Sequence, residues 1–563
     1  MPMSAKSKTP LLEQISIGIF AVFVALAFWY SFPRSPTVFN DDFGYYRSIA
    51  ATIQHGWPWT DDWLGPWAAS LSVISALIFE ATGNFRMATY GLVSACAGVI
   101  VFLSMKLLRH REVPLLLAAI WALIFLSSPS ILRKLVEFGA VPLYLGCLLG
   151  ALWSAERKNW TLFGICWFIA FANRQSALLW LALPAGMAIE SSIAKPKEWL
   201  RMLAKIAGIG AAGGFIYLAL SRGMNKTHGQ SWQNLSIAEL LSVSSFLHHF
   251  TVSMGLFVAS AGLGAFVLRT SGTRRIARRT WKSWTLSLFG SISVAALWAL
   301  DAGQYVSTER ILLTGSPGAT FLMSLGILAV VGWLWAAPMI HFRYLACGLA
   351  MSVLMGIVPE VWDYYLIDIF VFGIFSVALP RSDELQSRGR LAQALGYGAA
   401  TVLLANCSFF VTSAKRILDS SYAKVWLCER ALRAQLIEIT DITAAPFGFR
   451  GWHLHPYFIA NDAIEGRSIA YFRLYVREDA TWCRASNPEN PLPTVANGGL
   501  REDEAVVVSY VFPAGWTKAE RYTLFRTKKE SAPLVTMDLD KFVLEPFPLN
   551  NKEWREYLGY RNQ

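Results

Sequence analysis

The segment Phe39-Asn-Asp-Asp-Phe-Gly-Tyr-Tyr-Arg47 carries two adjacent carboxylates, Asp41 and Asp42, shortly after a long apolar run. A positioned aspartate can take the proton from an acceptor hydroxyl as its oxygen attacks an anomeric carbon, which is general-base work. If the leaving group is a lipid phosphate, its growing negative charge calls for cationic partners, and a water-poor interface strengthens them. Arg133, Lys134, Arg174 and Arg222 are the cations at the predicted outer ends of apolar runs. Arg174 is the sharpest of these: Ala172-Asn-Arg-Gln-Ser176 leaves a tight turn between two runs, where a guanidinium needs a partner or an anionic ligand. Each group also has a structural reading. Asn40, Asp41 or Asp42 suits the N-cap of a helix over Phe43–Gln54, and Arg133 and Lys134 suit snorkelling toward lipid headgroups.

The other polar residues of interest, Glu137, Glu309, Arg310, Glu360 and Asp363, also fall near run ends, while mid-run positions are nearly free of charge. Charge at a bilayer centre is costly and marks an ion or proton path, so chemistry is expected at an interface instead. Trp57, Trp59, Trp63 and Trp67, beside Asp61 and Asp62, fit an aromatic interface belt better than a sugar-stacking platform. Glu360-Val-Trp-Asp-Tyr-Tyr365 suits either an acceptor cleft or a pair of helix caps. His248 and His249 have no third ligand at metal-binding spacing.

The elements that must position these groups are membrane helices. The chain has 563 residues, 54% hydrophobic and only 16% charged, more apolar surface than a soluble core needs. Its formal charge of +12 sits in short clusters between apolar runs, as topology signals do, which argues against a nucleic-acid partner. Seven cysteines show no C-x-x-C spacing, and Cys96, Cys147, Cys166, Cys347 and Cys407 lie inside apolar runs as small hydrophobes, so no zinc site is expected. Leu11–Phe32 lacks a small-residue cleavage site and reads as a retained first helix.

Further runs follow at Met87–Leu108, Val113–Phe125, Phe138–Ser154, Trp160–Phe171, Ala177–Ile189, Met202–Leu220 and Phe246–Leu268. Trp284–Leu300, Ala319–Ile340, Tyr344–Val358, Leu366–Leu379 and Leu391–Val411 complete a polytopic α-helical protein of about thirteen transmembrane helices. Leu64–Phe79 is apolar enough to be mistaken for another crossing. If it does not cross, the basic clusters 109–111, 157–158, 195–205, 269–282, 343 and 381–390 share the cytoplasmic side with the N-terminus, about 20 Lys and Arg against about 9 opposite. Residues 33–86 then form a first outer loop with helices lying in the membrane plane. Residues 1–412 make the membrane domain, and 413–563 a soluble α+β domain outside it, periplasmic if the membrane is a bacterial inner membrane. Strands are expected at Ser468–Val476, Val506–Phe512, Tyr522–Thr527 and Leu534–Leu544, after an amphipathic helix near Ile417–Ile437. Cys428 and Cys483 either pair there or stay free.

In layout the chain resembles the GT-C superfamily of membrane glycosyltransferases, which includes protein O-mannosyltransferases and lipid A aminoarabinose transferases. The resemblance rests on Asp41-Asp42 followed by Phe-Gly-Tyr-Tyr, on Gly56-Trp-Pro-Trp-Thr-Asp-Asp-Trp-Leu-Gly-Pro66 ahead of an apolar helix, and on Phe85-Arg86. Ser127-Ser-Pro-Ser130 and Ala172-Asn-Arg-Gln175 add to it. It implies a catalytic carboxylate at Asp41 or Asp42, a sugar donor on a polyprenyl phosphate, and a glycan, lipid or protein acceptor in the cell envelope. Many members have Asp-Glu at this pair, so which carboxylate acts stays open. Only Glu137 is available in the second outer loop as a metal ligand, which implies no metal cofactor. The rivals are a lipid-linked oligosaccharide polymerase or ligase, and a transporter or flippase, the last expected to show mid-membrane polar groups or broken helices in matched halves.

Overall fold

The computed structural model describes residues 11–32, 42–55, 68–192, 196–221, 243–271, 281–299, 316–336, 338–357, 366–378, 390–433, 504–512 and 520–527. Every apolar run expected to span contains a helix. The first half holds α1 (Leu11–Ser31), α2 (Asp42–His55), α3 (Ala69–Thr82), α4 (Leu92–His110, entered through a π-helical turn at Met87–Gly91), α5 (Leu115–Leu126), α6 (Pro129–Val136), α7 (Ala140–Glu156) and α8 (Trp160–Phe171). A 3-10 helix, Gln175–Leu181, leads to α9 (Ala182–Ser192) and α10 (Pro196–Ser221). The second half holds α11 (Val243–Thr270), α12 (Trp281–Ala299), α13 (Ser316–Ala336), α14 (Phe342–Ile357), α15 (Ile367–Phe375) and α16 (Arg390–Arg433).

Local chemistry sets many of these boundaries. Pro129, Pro142, Pro184, Pro196 and Pro317 all fall within the first three residues of α6, α7, α9, α10 and α13, where no backbone donor is needed. Asn159 caps α8 by accepting from the Leu162 amide at 3.1 Å. Gly83 ends α3 in the left-handed region at φ 61°, which costs glycine little.

Among the described residues, five helices are long and apolar enough to cross a membrane: Leu11–Ser31, Met87–His110, Phe246–Thr270, Pro317–Ala336 and Leu391–Lys415. The pair α5 and α6 is long and apolar enough only when taken together, and is bent by 67° between the two helices. Shorter apolar helices, among them α7, α8 and α14, pack with these. This is the build of a helical membrane protein.

Two groups of helices are visible. In the first, α4 packs on α1, α5 and α7, and α7 on α8. In the second, α11 packs on α13, α14 and α15. The groups join where α9 meets α14 and where α16 crosses α5 and α6. Close helix approach uses small residues, as it does in lipid: a Cβ on Gly332 of α13 would collide with the Gly262 carbonyl oxygen of α11.

Arg109, Arg111 and Arg343 gather on carboxylates at one end of the bundle. Glu156, at the end of α7, takes Arg343 at 3.2 Å and Arg111 at 3.7 Å, and the Tyr344 hydroxyl donates to it. Arg343 also reaches Glu190 at 3.5 Å, and Arg109 pairs with Glu13. Arg111 donates to the carbonyls of Phe375 and Val377. Val377 belongs to a two-residue strand, β2 (Val377–Ala378), paired antiparallel with β1 (Met339–Ile340).

Several sequence expectations change in detail. Ile340 ends in β1, not in a helix. The expected span Ala177–Ile189 is divided between the 3-10 helix and α9. Instead of a separate helix near Ile417–Ile437, α16 runs unbroken for 44 residues, because no proline or glycine interrupts the chain after Gly398 until it ends at Arg433. Of the C-terminal strands, two are present as a hairpin, β3 (Glu504–Phe512) with β4 (Glu520–Thr527), lying against α16. The strands at Ser468–Val476 and Leu534–Leu544, and Cys483, lie outside the described residues.

The run Leu64–Phe79 is represented by α3, and its contacts fix its course. At its start Ser70 donates to the Ile169 carbonyl at 2.8 Å, and the Leu71 amide donates to Asn173 Oδ1 at 3.1 Å, both at the end of α8. Just beyond its far end, Arg86 donates to the Trp29 carbonyl at 2.8 Å and stacks over the Trp29 ring at 3.7 Å, at the end of α1. Both anchors sit at the end of the bundle opposite Glu156. α3 therefore stays at one end of the bundle.

Candidate functional site

The N-terminal end of α7 is the hub. Phe138 and Gly139 precede it, and α2 docks on them through paired tyrosines. Tyr46, almost fully buried, stacks on Phe138 with centroids 5.3 Å apart and meets Phe85 edge-on at 5.4 Å. Tyr45 lies edge-on to Phe138 at 6.2 Å, and a Cβ on Gly139 would approach its ring at 3.0 Å, so the glycine lets the two elements close. Asp42 is the first residue of α2, one residue earlier than the expected start at Phe43. Asp41 lies outside the described residues.

The residue before Phe138 is Glu137, which is 5% exposed and gathers two of the anticipated cations. Arg133 Nε lies 2.9 Å from one carboxylate oxygen and Lys134 Nζ 2.6 Å from the other. The short helix α6 makes this possible: Ile131, Leu132, Leu135 and Val136 are buried, and the bases occupy its last turn. Burial pushes the Glu137 carboxyl up, but Lys134 and Arg133 outweigh it and hold it below the usual carboxylate range. Arg133 and Lys134 are thus folded back onto a carboxylate, not extended toward headgroups. The triad lies beside the docking site of α2.

Further along α7, Tyr144 donates its phenolic hydrogen to Asp368 Oδ2 at 2.6 Å and shares a hydrogen bond with Ser176 Oγ at 2.8 Å. Asp368 belongs to α15 and is 2% exposed, with Oδ1 making no hydrogen bond. The Arg174 guanidinium sits 5.1 Å from the Tyr144 ring centroid and acts on the same carboxylate across space. Trp180 packs on Tyr144 at 4.9 Å, and its buried indole N–H also closes no hydrogen bond. Arg174 therefore has the partner that its tight turn demanded, an aromatic face and a buried carboxylate.

Sequence reasoning passes over Asp368. The signal is there, a lone carboxylate inside the apolar run Leu366–Leu379, the kind of residue that marks function in a membrane helix. The structure brings Arg133, Lys134 and Arg174 around the first turns of α7 and seats the Asp42 helix beside them. Arg222, the tryptophans at 57, 59, 63 and 67, Glu309, Arg310 and the segment Glu360–Tyr365 lie outside the described residues. Among the described residues no three His, Cys, Asp or Glu side chains are grouped to hold a metal ion.

The fold and these sites define a helical membrane protein with a polar centre at one end of its bundle. No protein-family model matches the chain, and no curated protein matches it.

Proposed function

We propose that the chain is a membrane glycosyltransferase of the GT-C type, moving a sugar from a polyprenyl-phosphate carrier to a glycan, lipid or protein acceptor of the cell envelope. In this reading it crosses a bacterial inner membrane about thirteen times, with its N-terminus cytoplasmic and residues 413–563 periplasmic. The observation that carries the reading is the seating of α2, which opens with Asp42, on Phe138 and Gly139, next to the Arg133–Lys134–Glu137 triad. A carboxylate base and cations near the leaving phosphate are what the reaction needs.

Asp41 or Asp42 takes the hydroxyl proton of the acceptor. The acceptor oxygen forms its bond to the anomeric carbon as the bond from that carbon to the phosphate oxygen breaks, and the electron pair leaves on the polyprenyl phosphate. One displacement inverts the anomeric centre. Arg133, Lys134, Arg174 and Arg222 offset the phosphate charge, and no cofactor enters the step.

A transporter or flippase is the second reading, favoured by Asp368 buried within an apolar helix and by the 67° break between α5 and α6. The deciding experiment measures transfer from radiolabelled polyprenyl-phosphate sugars into membrane extracts, for wild type, Asp41→Asn and Asp42→Asn at matched expression. Loss of product in one variant supports the transferase and identifies its base. Wild-type transfer unaffected by both substitutions removes this mechanism and leaves a polymerase or ligase, and absence of transfer from every donor favours the transporter.

A further inference from the structure

Around Trp153, near the end of α7, three basic groups gather from two helices. Arg157, the residue after α7, stacks its guanidinium over the indole, 4.2 Å from the ring centroid. Lys106 Nζ, from the last turns of α4, lies 6.0 Å from the same ring and 5.6 Å from that of Phe102. His110, one helical turn further along α4, meets the indole edge-on at 5.9 Å. Arg157 acts on both Lys106 and His110 across space, so like charges crowd one corner.

Lys106 is the informative member. It is only 7% exposed, yet among the described residues its ammonium makes no hydrogen bond and no ion pair. Nor is that ammonium sealed in, as the unsatisfied donors of Ser104 and Trp121 are. The nearby carboxylates are committed elsewhere: Arg109 takes both oxygens of Glu13, and Glu156 serves Arg111, Arg343 and Tyr344. Arg157 is exposed and likewise has no ion-pair partner among the described residues. A lysine at a membrane surface ordinarily extends its head into water, because an uncompensated buried charge is costly. Lys106 instead stays four residues, about 6 Å, inside the end of α4. Phe102 and Val99 continue its face of the helix, and Val99 is 46% exposed.

We propose that this corner binds the phosphodiester of an anionic membrane glycerophospholipid, with Lys106 and Arg157 donating to the phosphate oxygens and an acyl chain running along Phe102 and Val99. The chemistry selects that occupant. Two cations without counter-charge call for an anion, and ammonium and guanidinium both make charge-assisted bonds to phosphate. The depth of Lys106 and the exposed apolar face beside it call for an anion attached to hydrocarbon. A zwitterionic lipid would bring its own cation to an already crowded positive corner, whereas basic pockets between membrane helices take anionic headgroups. The site lies at the Glu156 end of α7, away from the Arg133–Lys134–Glu137 triad, and does not depend on the proposed transferase reaction.

The test uses the full chain, delipidated in detergent and offered equal amounts of dioleoyl phosphatidylglycerol and dioleoyl phosphatidylcholine, with bound lipid counted by native mass spectrometry. Wild type should retain phosphatidylglycerol in preference. Lys106→Met and Arg157→Gln should each weaken that retention about fivefold, the worth of one cation near an anionic headgroup. Lys415→Gln, on α16, should leave it unchanged. Without lipid, Lys106→Met should melt no lower than wild type, because it removes an uncompensated charge. With phosphatidylglycerol, wild type should gain in melting temperature and the variant should gain less. Arg157 is exposed, so its variant keeps the test decisive even if Lys106→Met fails to fold. Equal retention of the two lipids by wild type overturns the proposal, as does equal retention of phosphatidylglycerol by wild type and Arg157→Gln. If excess inorganic phosphate stabilises wild type as phosphatidylglycerol does, the corner takes a soluble anion and the lipid assignment falls.

Discussion

Tyr144 and Asp368, 224 residues apart in sequence, meet in a 2.6 Å hydrogen bond inside the bundle, with the phenol donating and the carboxylate accepting. This contact ties α7 of the first helix group to α15 of the second. It also places Ser176, Trp180 and Arg174 around one buried carboxylate. A polar group this deep is worth keeping only when satisfied, so the Tyr144 donor matters.

Tyr144→Phe should lower the unfolding free energy by about 1–3 kcal/mol, because buried Asp368 loses its 2.6 Å donor. Asp368→Leu in the same background should recover part of that loss, since an apolar replacement leaves no buried acceptor. Thermal unfolding in detergent of the two single variants and the double variant measures the coupling. Strictly additive effects would mean the pair contributes nothing.

Glu156→Gln should be the costliest single carboxylate change at the other end of the bundle, by about 3 kcal/mol, because Arg111 and Arg343 then face each other without their shared counter-charge. Glu190→Gln, on a residue more than twice as exposed, should cost about 1 kcal/mol or less. Denaturation midpoints of the two variants give the ranking directly.

Burial, reinforced by Arg343 and Arg111, holds His341 below the usual histidine range despite the opposing pull of Glu190 and Glu156. The native state then binds this proton less readily than the unfolded chain does. The contribution to stability is present above about pH 6.5, the ordinary histidine value, and is lost as pH falls through the lower folded value. Between pH 7.5 and 5, the melting temperature of wild type should fall faster than that of His341→Asn, and parallel curves would contradict this.

Gly332→Ala should destabilise by about 1–3 kcal/mol, since its new methyl meets the backbone carbonyl of Gly262, which cannot swing aside as a side chain could. Gly398→Ala, with open space around it in α16, should be neutral or stabilising by up to about 1 kcal/mol through helix propensity alone. Melting temperatures of the two variants, measured side by side, check the contrast.

The sequence by itself determined the helices. Long apolar runs must form their own backbone hydrogen bonds in lipid, and prolines such as Pro129 and Pro317 mark where helices start. The helix after Asp41 was legible from its capping residues, its start displaced by one residue. The grouping of Arg111, Arg343 and their neighbours at one bundle end could also be anticipated, because charge clusters between runs follow chain parity.

Partnership was decided only by the tertiary structure. Nothing near Arg174 in the sequence points to Asp368, and although the spacing of Arg133 and Lys134 to Glu137 is that of helical ion pairs, nothing near them shows that the triad will lie beside α2. The position of α3 at one end of the bundle likewise follows from the contacts of Leu71 with Asn173 and of Arg86 with Trp29. The physical reason lies in the solvent. An apolar side chain faces lipid as readily as it faces another helix, so hydrophobic pattern does not mark the packed face, and small residues and buried polar contacts select it instead.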